Sequence, residues 1–115
     1  MTKLQLAKLR QRVRTLKARR TALEYVALAP HTMLAASLLE RQFRPGGPVA
    51  YYLSIPHPVS SRHRYVRKAN VEPIRRQTTA WREFCHAMAE RVLVDNQIES
   101  LLRQIGRGRC QEIKL

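Results

Sequence analysis

The chain has 115 residues, of which 22 are Lys or Arg and only 8 are Asp or Glu, so its formal net charge at pH 7 is +14. A hydrophobic fraction of 44% is close to that of globular proteins and excludes a wholly disordered basic tail. No run of about 18 apolar residues is present, which argues against a membrane-spanning helix. We therefore expect one small domain over residues 1–115.

The positive charges are mostly arginine and are unevenly distributed. Arginine supplies 17 of the 22 basic residues, and its guanidinium group binds phosphate oxygens bidentately and stacks on bases. Residues 2–23 contain eight basic side chains and no acidic one, and residues 62–76 contain six that are opposed only by Glu72. Residues 77–105 are nearly neutral. This pattern predicts a basic surface for a polyanion such as nucleic acid, carried on a balanced scaffold.

The first predicted element is a basic helix over about residues 2–28, within the N-terminal segment 1–28. Thr2 is a suitable N-cap, and apolar residues follow the spacing of a coiled-coil seam, with Arg20 at its one polar position. The helix is expected to end before Pro30, because the residue before a proline is disfavoured in the helical conformation. An acid-free, Arg-rich start is also typical of a mitochondrial transit peptide, which stays an alternative. Coiled-coil exteriors normally contain Glu, so we favour phosphate contacts for this helix.

The middle of the chain predicts a small three-stranded antiparallel sheet. Residues 49–55 alternate as a half-buried strand does, residues 61–67 form a second candidate strand, and Pro- and Gly-containing turns flank residues 49–55 on both sides. A lone hairpin is only marginally stable in water, so a third strand over residues 37–43 is expected to complete the sheet. Residues 33–40 also have helix propensity, and the choice between strand and helix stays open for residues 37–43.

Alternation also predicts the two faces of this sheet. In residues 49–55, one set of alternating side chains is expected to face the core, and it consists of Val49, Tyr51, Leu53 and Ile55. Tyr52 is then expected to face solvent. With Tyr65 directed inwards on the next strand, Arg62 and Arg64 are expected to lie outwards beside Tyr52. An aromatic ring between two arginines suits phosphate contacts or base stacking. A solvated hairpin whose charges only prevent edge aggregation is the alternative.

The last predicted element is a long helix over about residues 70–105. Asn70 is a candidate N-cap, Pro73 is tolerated in the first turn, and Gly106 is expected to end the helix. Such a helix spans about 50 Å at 1.5 Å per residue, too long for a small sheet to cover. We therefore expect it to pair with the N-terminal helix, with a protein partner or with a second copy of the chain. Its predicted apolar stripe is Ile74, Trp81, Cys85, Met88, Val92, Ile98, Leu101, Leu102 and Ile105.

Three segments carry a resemblance to a known family: residues 36–41 (ASLLER), 47–54 (GPVAYYLS) and 62–66 (RHRYV). Together with the long helix that follows, they resemble an uncharacterised prokaryotic family of small basic proteins, a domain of unknown function. Its members read G-S-L-x-E-R, G-P-Y-Y-Y-L-S and K-T-R-x-R-Y-V. The resemblance covers about residues 34–105.

This resemblance implies a three-stranded antiparallel sheet flanked by helices, and it favours a strand over residues 37–43. Members of the family tend to occur near mobile elements, which suits a role in handling DNA or RNA. The family usually has a cysteine-containing C-G-K-x-x-C-x-C segment between the first two strands, whereas residues 44–47 here read RPGG. The sheet is also similar to the arm-binding domains of phage-type integrases, which bind DNA through three strands, although a shared fold does not fix function.

The sequence lacks the patterns that catalysis or metal binding requires. It has no carboxylate cluster for two-metal chemistry, no Gly-rich phosphate loop before a helix and no Ser-His-Asp arrangement around His63. Cys85 and Cys110 are far apart, and the four histidines are scattered. We therefore expect no enzymatic activity, no cofactor and no metal site.

These observations predict a non-enzymatic, cytoplasmic, nucleic-acid-binding protein, an accessory subunit of a DNA- or RNA-handling nucleoprotein complex. Two alternatives stay open, an RNA-bound structural subunit of a ribonucleoprotein and a helical protein–protein interaction module. Residues 106–115 form a short basic tail. The predicted contact residues are Arg10, Arg12, Arg14, Lys17, Arg19, Arg20, Arg41, Arg44, Tyr52, Arg62, Arg64, Arg67, Lys68, Arg75, Arg76, Arg107 and Arg109.

Overall fold

The computed structural model describes residues 1–115 and contains two long helices and one three-stranded sheet. This order of helix, sheet and helix confirms the predicted α+β class. The chain divides into two compact units, one of residues 1–29 with 86–115 and the other of residues 30–85. Neither helix holds a stretch long and apolar enough to cross a membrane. The elements are α1 (Lys3–Leu28), β1 (Ser37–Gln42), β2 (Val49–Ile55), β3 (Arg62–Val66), a 3-10 turn (Lys68–Asn70) and α2 (Val71–Gly108).

Helix α1 begins at a capping box. The Thr2 hydroxyl accepts a hydrogen bond from the backbone N–H of Gln5 at 3.1 Å, and the Gln5 side-chain oxygen accepts one from the backbone N–H of Thr2 at 2.8 Å. Two N–H groups that an isolated helix start leaves unpaired are thus satisfied. The helix ends at Leu28, and Ala29 is extended before Pro30, which confirms both predicted ends of this element.

In the first unit, α1 packs antiparallel against the second half of α2. Arg19 pairs with Glu90, whereas Leu16, earlier in α1, lies in a groove with Leu101, later in α2. Of the three pairings considered for the long helix, the one with the N-terminal helix is therefore observed within this unit. The buried side chains of the seam are Val13, Leu23, Ala87, Val94, Ile98 and Leu101.

The apolar stripe predicted for α2 is partly wrong. Ile98, Leu101 and Ile105 belong to the seam, but Met88, Val92 and Leu102 are exposed. Each residue of an α-helix turns about 100°, which puts Met88 and Val92 more than about 100° away from the buried Val94. Helix α1 is a single helix and covers only one face of α2, so these three apolar side chains remain in contact with water.

In the second unit, the three strands form an antiparallel sheet in the order β1-β2-β3. One face packs against the first turns of α2, where Leu53 and Val66 are buried with Val71. The chain before β1 is fastened to the same helix, because the N–H of Leu34 donates to the carbonyl of Gln77 at 3.1 Å. Residues 37–42 pair with β2 along their whole length and are strand. This decides between the strand and helix alternatives left open by the sequence.

The β1–β2 connection contains a tight turn over Arg44–Gly47. The N–H of Gly47 donates to the carbonyl of Arg44 at 3.0 Å, with Pro45 and Gly46 between them. Gly46 has φ +72°, the conformation that a type II turn requires at its third residue after a proline at the second. The sequence pattern thus selects the turn that joins the first two strands.

The predicted orientation of β3 is wrong. Tyr65 pairs with Tyr52, and Val66 pairs with Tyr51; residues directly opposite in an antiparallel pair lie on the same face. Val66 therefore faces the core and Tyr65 lies on the outer face, while Arg64 shares the inner face at the exposed edge of the sheet. The physical reason is that α2 begins just after β3 and buries Val66 with Val71.

Helix α2 is longer than predicted at its end. It starts at Val71, directly after the 3-10 turn that contains Asn70, and it continues through Gly106 to Gly108. Gly106 does not have positive φ, so it does not form the left-handed cap that ends many helices. The first three residues of the predicted basic tail, 106–108, are therefore helical, and residues 110–115 follow the turn at Arg109 without regular structure.

Candidate nucleic-acid interface

Most basic side chains of this protein have no acidic partner. Six of the eight acidic side chains form ion pairs, and together they engage five arginines. The other 17 Lys and Arg residues have no carboxylate within 4.0 Å. These 17 side chains carry the uncompensated charge, and they define where an anion is attracted. The five paired arginines are Arg19, Arg20, Arg75, Arg91 and Arg103.

Within the first unit, an ion-pair network holds α1 to α2. Arg20 contacts Asp95 at 3.1 Å, and Arg91 contacts Glu24 at 3.1 Å and Asp95 at 3.5 Å. Two positive and two negative side chains thus neutralise one another at the seam. Arg20 was predicted as a contact residue, and its polar place in the apolar seam is explained by these partners. Its charge stabilises the helix pair and is not free for a ligand.

Arg19 is similarly occupied. Its Nε and a terminal nitrogen donate to the two carboxylate oxygens of Glu90 at 2.5 and 2.9 Å. This hydrogen-bonded pair raises the pKa of Arg19 and lowers the pKa of Glu90 from their ordinary values. A bidentate guanidinium–carboxylate pair fixes orientation as well as charge. Of the six contact residues predicted on α1, Arg19 and Arg20 are therefore committed to the fold.

The other four predicted residues of α1 are exposed and unpaired. Arg10, Arg14 and Lys17 are spaced by four and three residues, which puts them on one stripe of the helix. Arg12 lies at the other flank in a shallow groove beside Gln97. Three unpaired cations thus form a row of positive charges about one helical turn apart. We call Arg10, Arg14 and Lys17 the basic stripe.

In the second unit, the sheet presents a face that α2 does not cover. Tyr52 lies at its centre, with the ring of Phe43 6.4 Å away and the ring of Tyr65 5.8 Å away, both nearly perpendicular to it. Phe43 and Tyr65 are 74% and 61% exposed. Large aromatic side chains are usually buried to a greater extent than this. We call Phe43, Tyr52 and Tyr65 the aromatic face.

Arg41 crosses the aromatic face. Its guanidinium carbon lies 5.3 Å from the centroid of the Tyr52 ring, within the range of a cation–π contact. The same guanidinium donates to Nδ1 of His63 at 2.8 Å. A guanidinium group can only donate, so this ring nitrogen is the acceptor. No carboxylate lies within 4.0 Å of Arg41, and the aromatic face therefore has a net positive charge.

The β2–β3 hairpin and its exit hold a second group of unpaired cations. Arg62 contacts Nε2 of His57 at 3.3 Å, and Arg64 is exposed at the edge of the sheet. The predicted positions of Arg62 and Arg64 beside Tyr52 are not observed, because their strand presents Tyr65 and His63 there instead. The exposed, unpaired residues of this group are Arg62, Arg64, Arg67, Lys68 and Arg76.

Arg75 differs from its neighbours because it is occupied within the second unit. It lies 3.4 Å from Glu72 and 3.9 Å from Glu40, and its guanidinium carbon is 5.8 Å from the Tyr51 ring centroid. These contacts join α2 to the inner face of the sheet. Like Arg19 and Arg20, Arg75 was predicted to contact nucleic acid but instead pairs with carboxylates of the protein itself.

The remaining predicted residues are exposed at the ends of elements. Arg44 begins the β1–β2 turn, Arg107 lies in the last turn of α2 and Arg109 follows it. None has a carboxylate within 4.0 Å. No group of three or more His, Cys, Asp or Glu side chains has the geometry to hold a metal ion.

The sequence did not identify Phe43, His63 and Tyr65 as site residues. Phe43 follows Leu39 and Arg41 at the two-residue period of β1, so strand alternation was the signal that could have found it. The signal for Tyr65 was ambiguous, because Tyr65 and Val66 are adjacent and either can face a core.

No family model, no curated protein and no solved structure matches this chain, so the family resemblance stays a prediction.

Proposed function

We propose that this protein binds nucleic acid without catalysing a reaction, as an accessory subunit of a DNA- or RNA-handling nucleoprotein complex in the cytoplasm. The observation that carries this proposal is the charge distribution, in which 17 of 22 basic side chains lack a carboxylate partner. These side chains include the basic stripe of α1 and the group around the β2–β3 hairpin. A polyanion is the ligand class that relieves the mutual repulsion of so many cations.

Arginine makes phosphate the favoured anion. Thirteen of the predicted Lys and Arg contact residues have no carboxylate partner. Eleven of them are arginines, and the other two are Lys17 and Lys68. The guanidinium fork binds two phosphate oxygens at once, whereas an ammonium group acts as a point charge. Solubility alone does not require arginine, because lysine provides the same charge.

The carboxylates support a non-enzymatic role. Six of eight already form ion pairs, which leaves Glu83 and Glu112 as the only unpaired acidic side chains. Two-metal chemistry needs several carboxylates together in one site, and only these two carboxylates of the chain have no arginine partner. We therefore propose binding alone.

The experiment that tests this function is a competition measurement at one fixed salt concentration. A labelled duplex DNA is bound to the protein and displaced by unlabelled duplex DNA or by a structured RNA of equal length. Stronger displacement by the RNA would favour the ribonucleoprotein alternative, and stronger displacement by the duplex would favour a DNA-handling complex. Absence of binding to the labelled duplex and to the RNA would contradict the proposal.

A protein partner or a second copy of the chain is a further candidate, favoured by the exposed side of α2. Met88, Val92, Leu93 and Leu102 are all exposed within the first unit, and clusters of exposed apolar side chains commonly mark interaction sites. Sedimentation at micromolar concentration tests self-association. A dimer that the Val92→Glu variant dissociates would support a homodimer, and a strict monomer would exclude one at that concentration.

A further inference from the structure

The outer face of the sheet has a composition that solubility does not explain. Phe43 and Tyr65 are mostly exposed, although a sheet face in contact with water normally carries polar side chains. This face contains no acidic side chain. Phe43, directly after β1, has its ring beside that of Tyr52, and the outward positions of the strands are Ser37, Leu39, Arg41, Ala50, Tyr52, Ser54, His63 and Tyr65. It therefore combines exposed aromatic rings with positive charge.

We propose that the aromatic face binds unpaired bases of single-stranded nucleic acid by stacking, with Arg41 beside the bases. This inference rests on the proposed function and specifies it: the preferred ligand is a single strand, and the bases as well as the phosphates are contacted. Four-stranded sheets with exposed aromatic residues stack about two or three bases, and the three rings of the aromatic face offer a platform of the same kind. No sequence preference is implied, since every base has a face that can stack.

The geometry of the rings favours this ligand. Tyr52 meets both neighbours at angles of 72° and 82°, so the three rings do not cover one another's faces as parallel stacked rings would. The exposed faces of Phe43 and Tyr65 are therefore available to a planar partner. The guanidinium of Arg41, 5.3 Å from the Tyr52 ring centroid, adds a positive charge beside the rings that can contact a phosphate of a stacked strand.

A duplex fits the aromatic face less well than a single strand. Bases inside a duplex already stack on one another and offer only their edges in the grooves, so their faces are not accessible. A protein partner is less favoured too, because the face offers uncompensated positive charge and no acidic side chain to an incoming surface. Phosphate groups with unpaired bases match both its charge and its rings.

The test compares a normal and an abasic single strand. Fluorescence anisotropy measures the affinity of the full chain for a labelled oligo-dT of about 12 nucleotides, within the site sizes of sheet-based binders, and for an abasic strand of equal length. The central variant is Tyr65→Leu, which removes the ring but keeps an apolar side chain. Tyr65→Phe restores a ring, and Phe43→Leu tests a second position.

The matched control is Tyr25→Leu, because Tyr25 is 80% exposed on α1 and lies outside the sheet. We expect Tyr65→Leu to weaken oligo-dT binding by about 5- to 150-fold, the effect of losing one base–aromatic stack. Abasic-strand binding should hardly change, Tyr65→Phe should bind oligo-dT as the wild type does, and Tyr25→Leu should have no effect. The salt dependence should also be unaltered, because no phosphate contact is lost.

Two outcomes would overturn the inference, and they are distinguishable. If the protein binds oligo-dT and the abasic strand equally well, or if Tyr65→Leu and Phe43→Leu leave the preference for oligo-dT intact, phosphate contacts explain the binding and the stacking proposal is wrong. If neither strand nor a duplex binds even at low salt, the proposed function itself fails, and the stacking proposal fails with it.

Discussion

Replacing Arg62 and Arg64 together by Gln is expected to weaken nucleic-acid binding without unfolding the protein. Both side chains are exposed on the edge strand β3, and neither has a carboxylate partner. Glutamine is shorter than arginine but keeps a polar amide and removes the charge. Exposed substitutions of this kind usually change the free energy of unfolding by no more than about 0.5 kcal/mol, so a change in affinity would report the loss of charge.

The magnitude follows from the release of counterions. Each phosphate contact contributes about 0.9 to the salt dependence of duplex binding and about 0.7 for a single strand, so two lost contacts lower the slope by about 1.8 or 1.4. The electrostatic contribution of these two contacts is taken to vanish near 1 M salt. Over the tenfold decrease in salt to 0.1 M, the slope differences then correspond to a loss in affinity of about 60-fold for a duplex and about 25-fold for a single strand.

The assay is a titration of the labelled nucleic acid at several salt concentrations, followed by anisotropy. The matched control is the double variant Arg91→Gln with Arg103→Gln, which removes the same net charge. Arg91 and Arg103 already pair with carboxylates, so their loss should affect binding much less. Because Arg91 also joins α1 to α2, circular dichroism first verifies that this variant keeps its helix content. If the control pair weakens binding as strongly as the Arg62 and Arg64 pair, affinity follows net charge alone and the assignment of the hairpin is wrong.

Three further predictions concern the fold. Ile98→Ala, at a buried seam position, should lower the free energy of unfolding in urea by about 2–5 kcal/mol, and an equal loss for Leu102→Ala at an exposed position would contradict the described seam. Gly46→Ala should cost about 1 kcal/mol or more in the same assay, because φ +72° is strained for alanine; an unchanged midpoint would refute the turn assignment. Arg19 lowers the pKa of Glu90 below 4.5, so the pair stabilises the fold above that pH and loses its effect as pH falls through the lowered pKa. The difference in melting temperature between wild type and Glu90→Gln should accordingly shrink towards acid pH, and a difference that grows there would contradict the pairing.

The sequence predicted the elements well where several local signals agreed. Strand β2 was predicted at its observed bounds, because alternation, aromatic and β-branched residues and flanking prolines all indicated the same state. Helix α1 likewise had a cap, a seam and a proline that agreed. Residues 37–42 were ambiguous because their leucines and Glu40 favour a helix, and only pairing with β2 makes them a strand.

The candidate site was less predictable, because it depends on which of two adjacent residues is buried. Tyr65 and Val66 are both apolar, and a shift of one residue moves every side chain of a strand to the other face. Contact with Val71 of α2 selects Val66 for the core, and no local signal in β3 contains that information. Similarly, the carboxylates that occupy Arg19, Arg20 and Arg75 become evident only when the elements are packed together.

The salt dependence of wild-type binding tests the central claim most directly. With a labelled duplex oligonucleotide and anisotropy as the readout, the affinity is measured between 50 and 200 mM salt. A protein that contacts about six or more phosphates should lose about a thousandfold or more in affinity over this range. A weak affinity that stays constant across the range would contradict nucleic-acid binding through the unpaired arginines, and would favour a protein–protein interaction module instead.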